Sequence, residues 1–139
     1  MAAILEPEVA GGLGEGTVMD RSVHPPQVSR LVYEFEGWLG DDIVETFPCF
    51  LVTEALAQAL TEAGLTGFAL ADVTVQTTDE FTQHSARPLP EFRWLQITGA
   101  AHLDDFWLHT DYRLAVSTRA LDVLGTHRLD NAVVEPLPN

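Results

Sequence analysis

Hydrophobic and polar residues are arranged along this chain in the patterns of short strands and amphipathic helices. A continuous apolar run at residues 49–52 is typical of a strand that is buried on both faces, and Thr53 follows it as a helix N-cap. Apolar residues then recur at positions 56, 59, 60 and 63, the spacing of one helix face, and Gly64 suits a left-handed helix end. The pattern predicts a buried strand that leads directly into a helix.

The same order of elements returns in the second half of the chain. Four residues of the first half align with four of the second half at one constant offset: Val52, Thr53, Leu60 and Leu65 with Val116, Ser117, Leu124 and Leu129. Alternation and apolar runs predict further strands at residues 31–38, 67–75, 92–98 and 131–135. This alignment of the two halves therefore predicts a duplicated unit, in which Thr53 and Ser117 both begin helices.

These elements predict one mixed α/β domain (α+β) over residues 1–139, with helices packed on a sheet. Two pseudo-repeated strand-helix-strand units occupy residues 30–84 and 92–139. A Pro-rich joint at 85–91 separates them, because two prolines within three residues cannot pair in a sheet. Residues 1–29 are rich in glycine and proline, so we expect an irregular N-terminal arm that lies partly against the domain.

The charge of the chain indicates what kind of partner it has. The sequence contains 21 acidic residues and only seven basic ones, which gives a formal net charge of −14. Such a field repels phosphate backbones and attracts basic surfaces, so we expect a basic protein partner and no nucleic acid. Acidic residues without a compensating base are concentrated between positions 34 and 45. We predict that these bind the partner: Glu34, Glu36, Asp41, Asp42 and Glu45.

The chain carries no sign of a membrane segment or of an oxidising compartment. No stretch approaches the roughly 20 apolar residues that span a bilayer, and the N-terminus lacks a basic region followed by an apolar one. The single cysteine, Cys49, cannot form an internal disulfide and resembles a small core residue, since no histidine is near it in the sequence. We expect a cytoplasmic protein without membrane contact.

Two Asp-Asp pairs and two nearby histidines are the candidates for metal chemistry. Carboxylates and imidazoles are ligands of zinc, manganese and iron, and carboxylate pairs hold divalent ions in phosphoryl chemistry. The alternative to a binding protein is therefore a small metal-assisted hydrolase with six candidate residues: Asp41, Asp42, His102, Asp104, Asp105 and His109. The competing explanation is that adjacent aspartates cap a turn by accepting hydrogen bonds from the backbone two residues on.

Signatures of other enzymes are missing from the sequence. The glycines at residues 11–16 lack the lysine and hydroxyl residue of a phosphate loop, and no serine occupies a nucleophile elbow. Ser117 is better explained as a helix cap. We therefore predict no catalytic residue and no cofactor.

The second half of the chain carries a resemblance to a known group of proteins. Residues 114–124 combine an apolar strand, a Val-Ser cap and an amphipathic helix, and residues 129–136 add a short strand with an acidic residue beside a proline. Together with residues 38–42 and 47–54, this order resembles a broad group of small bacterial proteins, some of which are assigned as polymorphic-toxin immunity proteins. The resemblance covers residues 30–137 and implies a binding role. We therefore expect a non-enzymatic acidic binding protein that neutralises a basic toxin or effector.

Overall fold

The structure, a computed structural model, describes residues 1–84 and 88–137. This part of the chain contains both strands and helices, with more residues in strands. The fold is therefore mixed α/β, as predicted. The elements, in chain order, are β1 (Ala3–Glu6), β2 (Gly11–Leu13), β3 (Val18–Asp20), β4 (Gln27–Arg30), β5 (Val32–Phe35), β6 (Ile43–Thr46), β7 (Cys49–Thr53), α1 (Glu54–Glu62), β8 (Phe68–Ala71), β9 (Thr74–Thr77), α2 (Asp79–His84), β10 (Phe92–Ile97), β11 (Phe106–Leu108), β12 (Leu114–Val116), α3 (Thr118–Leu124) and β13 (Val133–Pro136). Among the helices of the described residues, none is long and apolar enough to span a membrane.

The strands form two larger sheets and two smaller ones. Sheet A has the order β11-β12-β1-β13, and sheet B has the order β6-β7-β10-β8. All neighbouring strands in these two sheets are antiparallel. Sheet C has the order β2-β5-β9, in which β5 and β9 run parallel, and β3 pairs with β4 as a separate two-stranded sheet.

Each of the two larger sheets takes one inner strand from the other half of the chain. In sheet A, β1 lies between β12 and β13, with Ile4 opposite both Ala115 and Glu135. In sheet B, β10 lies between β7 and β8, with Leu95 paired to a residue on each side. The first half therefore completes the sheet of the second half, and the second half completes the sheet of the first.

The hydrophobic core lies on both faces of sheet B. One cluster joins sheets A and B with the two longer helices, and it includes fully buried Leu60 of α1 and Leu124 of α3. A second cluster lies on the side of sheet C and contains Tyr33, Leu51 and Trp94. Strand β7 contributes to both clusters, and all five of its residues are buried. The prediction of a strand that is buried on both faces is confirmed.

Both predicted helix starts are confirmed. The Thr53 hydroxyl accepts a hydrogen bond from the Leu56 amide at 3.3 Å and caps α1. The Ser117 hydroxyl accepts one from the Ala120 amide at 3.0 Å and caps α3. Gly64, just after α1, has a φ of 69°, the left-handed conformation that its position predicts.

Two predicted segments differ from the structure. Residues 1–29, predicted to be an irregular arm, contribute four strands, and Leu5 of β1 is fully buried. The apolar run of β1 is too short to be recognised before Pro7, and its pairing partners lie more than a hundred residues away. The single strand predicted at 67–75 is divided into β8 and β9, which belong to different sheets. Of the predicted joint at 85–91, residues 85–87 lie outside the described residues.

Candidate functional site

Asp42, from the first predicted aspartate pair, joins the start of α1 to the loop that follows α3. Its Oδ1 accepts a hydrogen bond from Thr53 Oγ1 at 2.8 Å, and its Oδ2 accepts one from the Arg128 amide at 2.8 Å. The Asp42 backbone donates to the Arg128 carbonyl and accepts from the Thr53 amide, both at 2.9 Å. We refer to Asp42, Thr53 and Arg128 as the Asp42 clasp.

Asp105 makes the corresponding connection from the second half of the chain to the first. Its Oδ1 accepts a hydrogen bond from Ser117 Oγ at 2.6 Å, and its Oδ2 accepts one from the Thr66 amide at 2.9 Å. Oδ2 also accepts a bond from Arg119 Nη2 at 2.8 Å, and this guanidinium holds the pKa of Asp105 well below its usual range despite burial. These four residues form the Asp105 clasp.

The two clasps have the same plan. In each one, the carboxylate accepts a bond from the hydroxyl that caps the helix of its own half, and another from a backbone amide after the helix of the other half. All four carboxylate oxygens of Asp42 and Asp105 therefore accept hydrogen bonds from the protein. These aspartates hold the two halves together.

The other member of each aspartate pair also accepts backbone hydrogen bonds. Asp41 is fully buried, and its carboxylate accepts bonds from the Asn131 amide at 2.8 Å and from Asn131 Nδ2 at 3.1 Å. Asp104 accepts a bond from the Ala100 amide at 2.7 Å. Asp104 thus closes a local turn, whereas Asp41 reaches a residue 90 positions away in the sequence.

The six residues of the alternative metal site do not converge. Within residues 1–84 and 88–137, no three His, Cys, Asp or Glu side chains are grouped so that they could hold a metal ion. The His102 ring lies against Trp107, with the ring centroids 5.0 Å apart. His109 lies in the β11–β12 hairpin, where its amide donates to the Arg113 carbonyl at 2.8 Å. The four aspartates are held in the contacts described above.

The carboxylates predicted to bind a partner differ widely in exposure. Glu36 is exposed, while Glu34 and Glu45 are half-buried on their strands. Asp41 is buried, and both oxygens of Asp42 are engaged in its clasp. These two aspartates stabilise the fold from within, because protein donors occupy the oxygens that a partner would otherwise contact.

Three carboxylates outside the predicted set surround Arg113. Its guanidinium lies 2.7 Å from an Asp111 oxygen, 3.5 Å from Glu135 and 3.9 Å from Glu6. All four side chains are between 35% and 53% exposed. One arginine thus faces three carboxylates, and this group, which we name the Arg113 cluster, keeps a net negative charge.

Glu45 adds a fourth carboxyl group near this cluster. Burial, reinforced by the negative charge of Glu6, raises the pKa of Glu45 to about 7. The Glu45 backbone is fixed on both sides, since its amide donates to the Glu8 carbonyl at 2.9 Å and its carbonyl accepts from the Tyr33 hydroxyl at 3.0 Å. Strand β6 therefore holds this carboxyl group in a half-buried position close to another acid.

Three aromatic rings meet where three hairpin turns come together. His24 lies between β3 and β4, Phe47 between β6 and β7, and Tyr112 between β11 and β12. The His24 ring centroid is 6.2 Å from that of Phe47 and 5.2 Å from that of Tyr112. We name these residues the aromatic trio. No sequence pattern pointed to it, because each ring stands alone in its own turn.

Comparisons with models of protein families, with curated proteins and with solved structures found no match. The resemblance of residues 30–137 to a group that includes immunity proteins stays a prediction.

Proposed function

We propose that this chain is a non-enzymatic acidic binding protein that neutralises a basic toxin or effector by covering its active surface, as an immunity protein does. The net charge of −14 supports a basic partner, because opposite fields accelerate encounter. The resemblance of residues 30–137 supports the same role.

The observation that carries this proposal is the excess of carboxylates in the Arg113 cluster. Two other arginines have partners elsewhere: Arg93 lies 3.8 Å from Glu54, and Arg119 lies 2.8 Å from Asp105. Exposed ion pairs contribute only about 0–1 kcal/mol each to stability. Three exposed acids around one arginine therefore stabilise the fold little. A positively charged partner would complete their pairing.

In this proposal the partner contacts the Arg113 cluster and Glu45. Glu34 on β5 and Glu36 just after it add to the negative field that attracts the partner. Asp41 and Asp42 contribute indirectly, because their hydrogen bonds fix the segment from which β6 and Glu45 follow.

We also infer that the two halves are pseudo-repeats related by an approximate twofold axis, with their helices packed on the sheets. Sheets A and B are built in the same order. Each begins with a hairpin (β11-β12 or β6-β7), continues with the strand from the other half of the chain (β1 or β10), and ends with the strand that follows the helix (β13 or β8). The two clasps repeat the same hydrogen-bond plan. Such symmetry accounts for the proximity of the two hairpin turns that carry Phe47 and Tyr112.

The protein encoded beside this chain in its genome is the probe for the proposed function. We expect that this neighbour arrests growth when it is expressed alone, and that co-expression of the chain restores growth. The purified proteins should bind each other, with an association rate that falls as salt is raised. Absence of both rescue and binding would overturn the proposal.

A triple variant tests whether the Arg113 cluster contributes to this binding. Neutralising Glu6, Asp111 and Glu135 as Gln, Asn and Gln should slow association about tenfold at low salt and less at high salt. The matched control neutralises three exposed acids elsewhere in the same way: Glu15, Glu62 and Asp122. Equal effects of the two variants would show that the cluster acts only through its net charge.

The alternative function, a metal-assisted hydrolase, makes a different prediction. Stoichiometric bound metal and catalytic turnover in the wild-type protein would favour the hydrolase over the binding protein.

A further inference from the structure

A shallow groove of about 270 Å³ opens beside the aromatic trio. Two of its lining residues, Pro25 and Pro48, directly follow His24 and Phe47 of the trio. Apolar side chains make up much of the lining: Pro25, Pro48, Trp94, Ile97 and Leu108. The groove and the rings of His24 and Phe47 therefore adjoin through Pro25 and Pro48, and together they present an apolar and aromatic surface.

This surface is open to solvent at its aromatic edge. The Phe47 side chain is 48% exposed, and Val23, which precedes His24, is 47% exposed. Tyrosine and phenylalanine are enriched at the cores of protein–protein interfaces, and contiguous exposed apolar surface marks interaction sites. The trio thus has the composition of an interface centre.

Negative charge borders the same surface. Tyr112 stands between Asp111 and Arg113 in the β11–β12 turn, and Phe47 stands two residues after Glu45. Asp111 and Arg113 of the Arg113 cluster, and also Glu45, therefore lie close to the rings in the sequence. Because a guanidinium stacks on aromatic faces and pairs with carboxylates at its edge, this combination suits an arginine side chain better than an apolar or an acidic one.

We propose that the aromatic trio is the docking site for an arginine of the basic partner, with an apolar residue next to that arginine entering the groove. This inference rests on the proposed function and names the group that the partner presents. The arginine stacks against Phe47 and Tyr112. The remaining acids of the Arg113 cluster steer the approach.

Substitution of the rings tests the docking site. Phe47→Ala and Tyr112→Ala should each weaken binding to the neighbour-encoded protein at least about tenfold, mainly through faster dissociation. The matched control is Leu103→Ala, which removes an 85% exposed apolar side chain from a different loop and should leave the affinity unchanged. If the wild type binds and both ring variants bind within about twofold of it, the docking site is wrong while the proposed function stands.

Chemical-shift mapping on the wild-type chain does not depend on how the variants fold. Addition of the unlabelled neighbour-encoded protein to ¹⁵N-labelled chain should perturb the amides of His24, Phe47 and Tyr112 more than that of Leu103. Perturbations confined to other surfaces would overturn the docking site. A wild type that does not bind at all would overturn both the docking site and the proposed function.

The remaining occupant to test is a second copy of this chain. Sedimentation of the wild type should show a monomer, since the acidic surroundings of the trio repel an identical surface. A wild-type dimer that becomes a monomer on Phe47→Ala would assign this surface to self-association and overturn the docking site.

Discussion

The Asp105 carboxylate collects hydrogen bonds from segments that are far apart in the sequence. It accepts a hydrogen bond from the amide of Thr66, which is 39 residues away in the sequence. It accepts another from the hydroxyl of Ser117, which caps α3. A hydrogen bond to a charged group contributes about 1.5–3 kcal/mol to stability, more than a bond between neutral groups. One side chain therefore affects two elements and the junction between the halves.

We expect Asp105→Ala to lower the free energy of unfolding by roughly 2–4 kcal/mol, because it removes the charged acceptor of three hydrogen bonds. The adjacent Asp104→Ala is the matched control, since Asp104 accepts a bond from the Ala100 amide within one loop. It should lower the free energy of unfolding by less than about 1 kcal/mol. Urea unfolding measures both, and equal losses would contradict the proposed role of the clasp.

Glu45 makes stability depend on pH in the opposite sense to a salt-bridged carboxylate. Its pKa in the fold is about 7, because burial and the Glu6 charge disfavour ionisation. An unperturbed glutamate has a pKa of about 4.3, so between these two values the folded chain holds a proton that the unfolded chain has lost. The contribution of protonated Glu45 to the free energy of unfolding is complete below the pKa of the unfolded chain. It disappears as the pH rises through the pKa of the folded chain.

We therefore expect the wild type to lose stability from pH 5 to pH 8 more steeply than Glu45→Gln, which cannot ionise. Urea midpoints measured at intervals across this range should separate the two curves progressively as the pH rises. Glu36→Gln, at an exposed position near the end of β5, is the control and should follow the wild type. Parallel curves for wild type and Glu45→Gln would show that this carboxyl group titrates normally.

At the scale of elements, strand β2 depends on the absence of a side chain at Gly11. A Cβ added there would stand 1.9 Å from the Glu34 carbonyl oxygen of the paired strand β5, far inside van der Waals contact. A Cβ added at the neighbouring Gly12 would have no heavy atom within 4 Å. Close pairing of β2 with β5 therefore requires glycine at the first position only.

We expect Gly11→Ala to destabilise the fold by about 1–3 kcal/mol, as overpacking does, because the β2 backbone must move away from β5. Gly12→Ala should change the free energy of unfolding by less than about 0.5 kcal/mol. Amide hydrogen exchange of residues in β2 and β5 should accelerate in the first variant alone. Equal exchange in both variants would indicate that β2 adjusts without losing its pairing.

What the sequence could predict was local. The caps at Thr53 and Ser117 and the buried strand β7 depend on neighbours within a few residues, and their patterns identified them correctly. Strand β1 was missed because its pairing depends on β12 and β13, more than a hundred residues away. Asp42 accepts a hydrogen bond from an amide that is 86 residues away in the sequence. Because that partner is so distant, the local sequence indicated only a turn or a metal ligand. The aromatic trio comes from three separate turns and has no local pattern.

At the scale of the whole molecule, the exchange of β1 and β10 ties the stability of each half to the other. Sheet A without β1 would lose the strand between β12 and β13, and sheet B without β10 would lose the strand between β7 and β8. The clasps add connections of the same kind, since each one binds a loop of the opposite half. Neither half keeps a complete sheet when the other unfolds, so unfolding should be a single cooperative transition.

Two buried tryptophans report separately on the two sheets and test this cooperativity. Trp94 lies in β10 of sheet B and Trp107 in β11 of sheet A, so ¹⁹F resonances of the fluorotryptophan-labelled chain follow both during urea unfolding. We expect the two resonances to share one midpoint. Ile4→Val in β1, a change that costs about 0.5–1.5 kcal/mol, should lower both midpoints equally, although Ile4 belongs to sheet A. If the two sheets unfolded independently, the substitution would move the Trp107 midpoint alone, and that result would contradict the coupling that the exchanged strands imply.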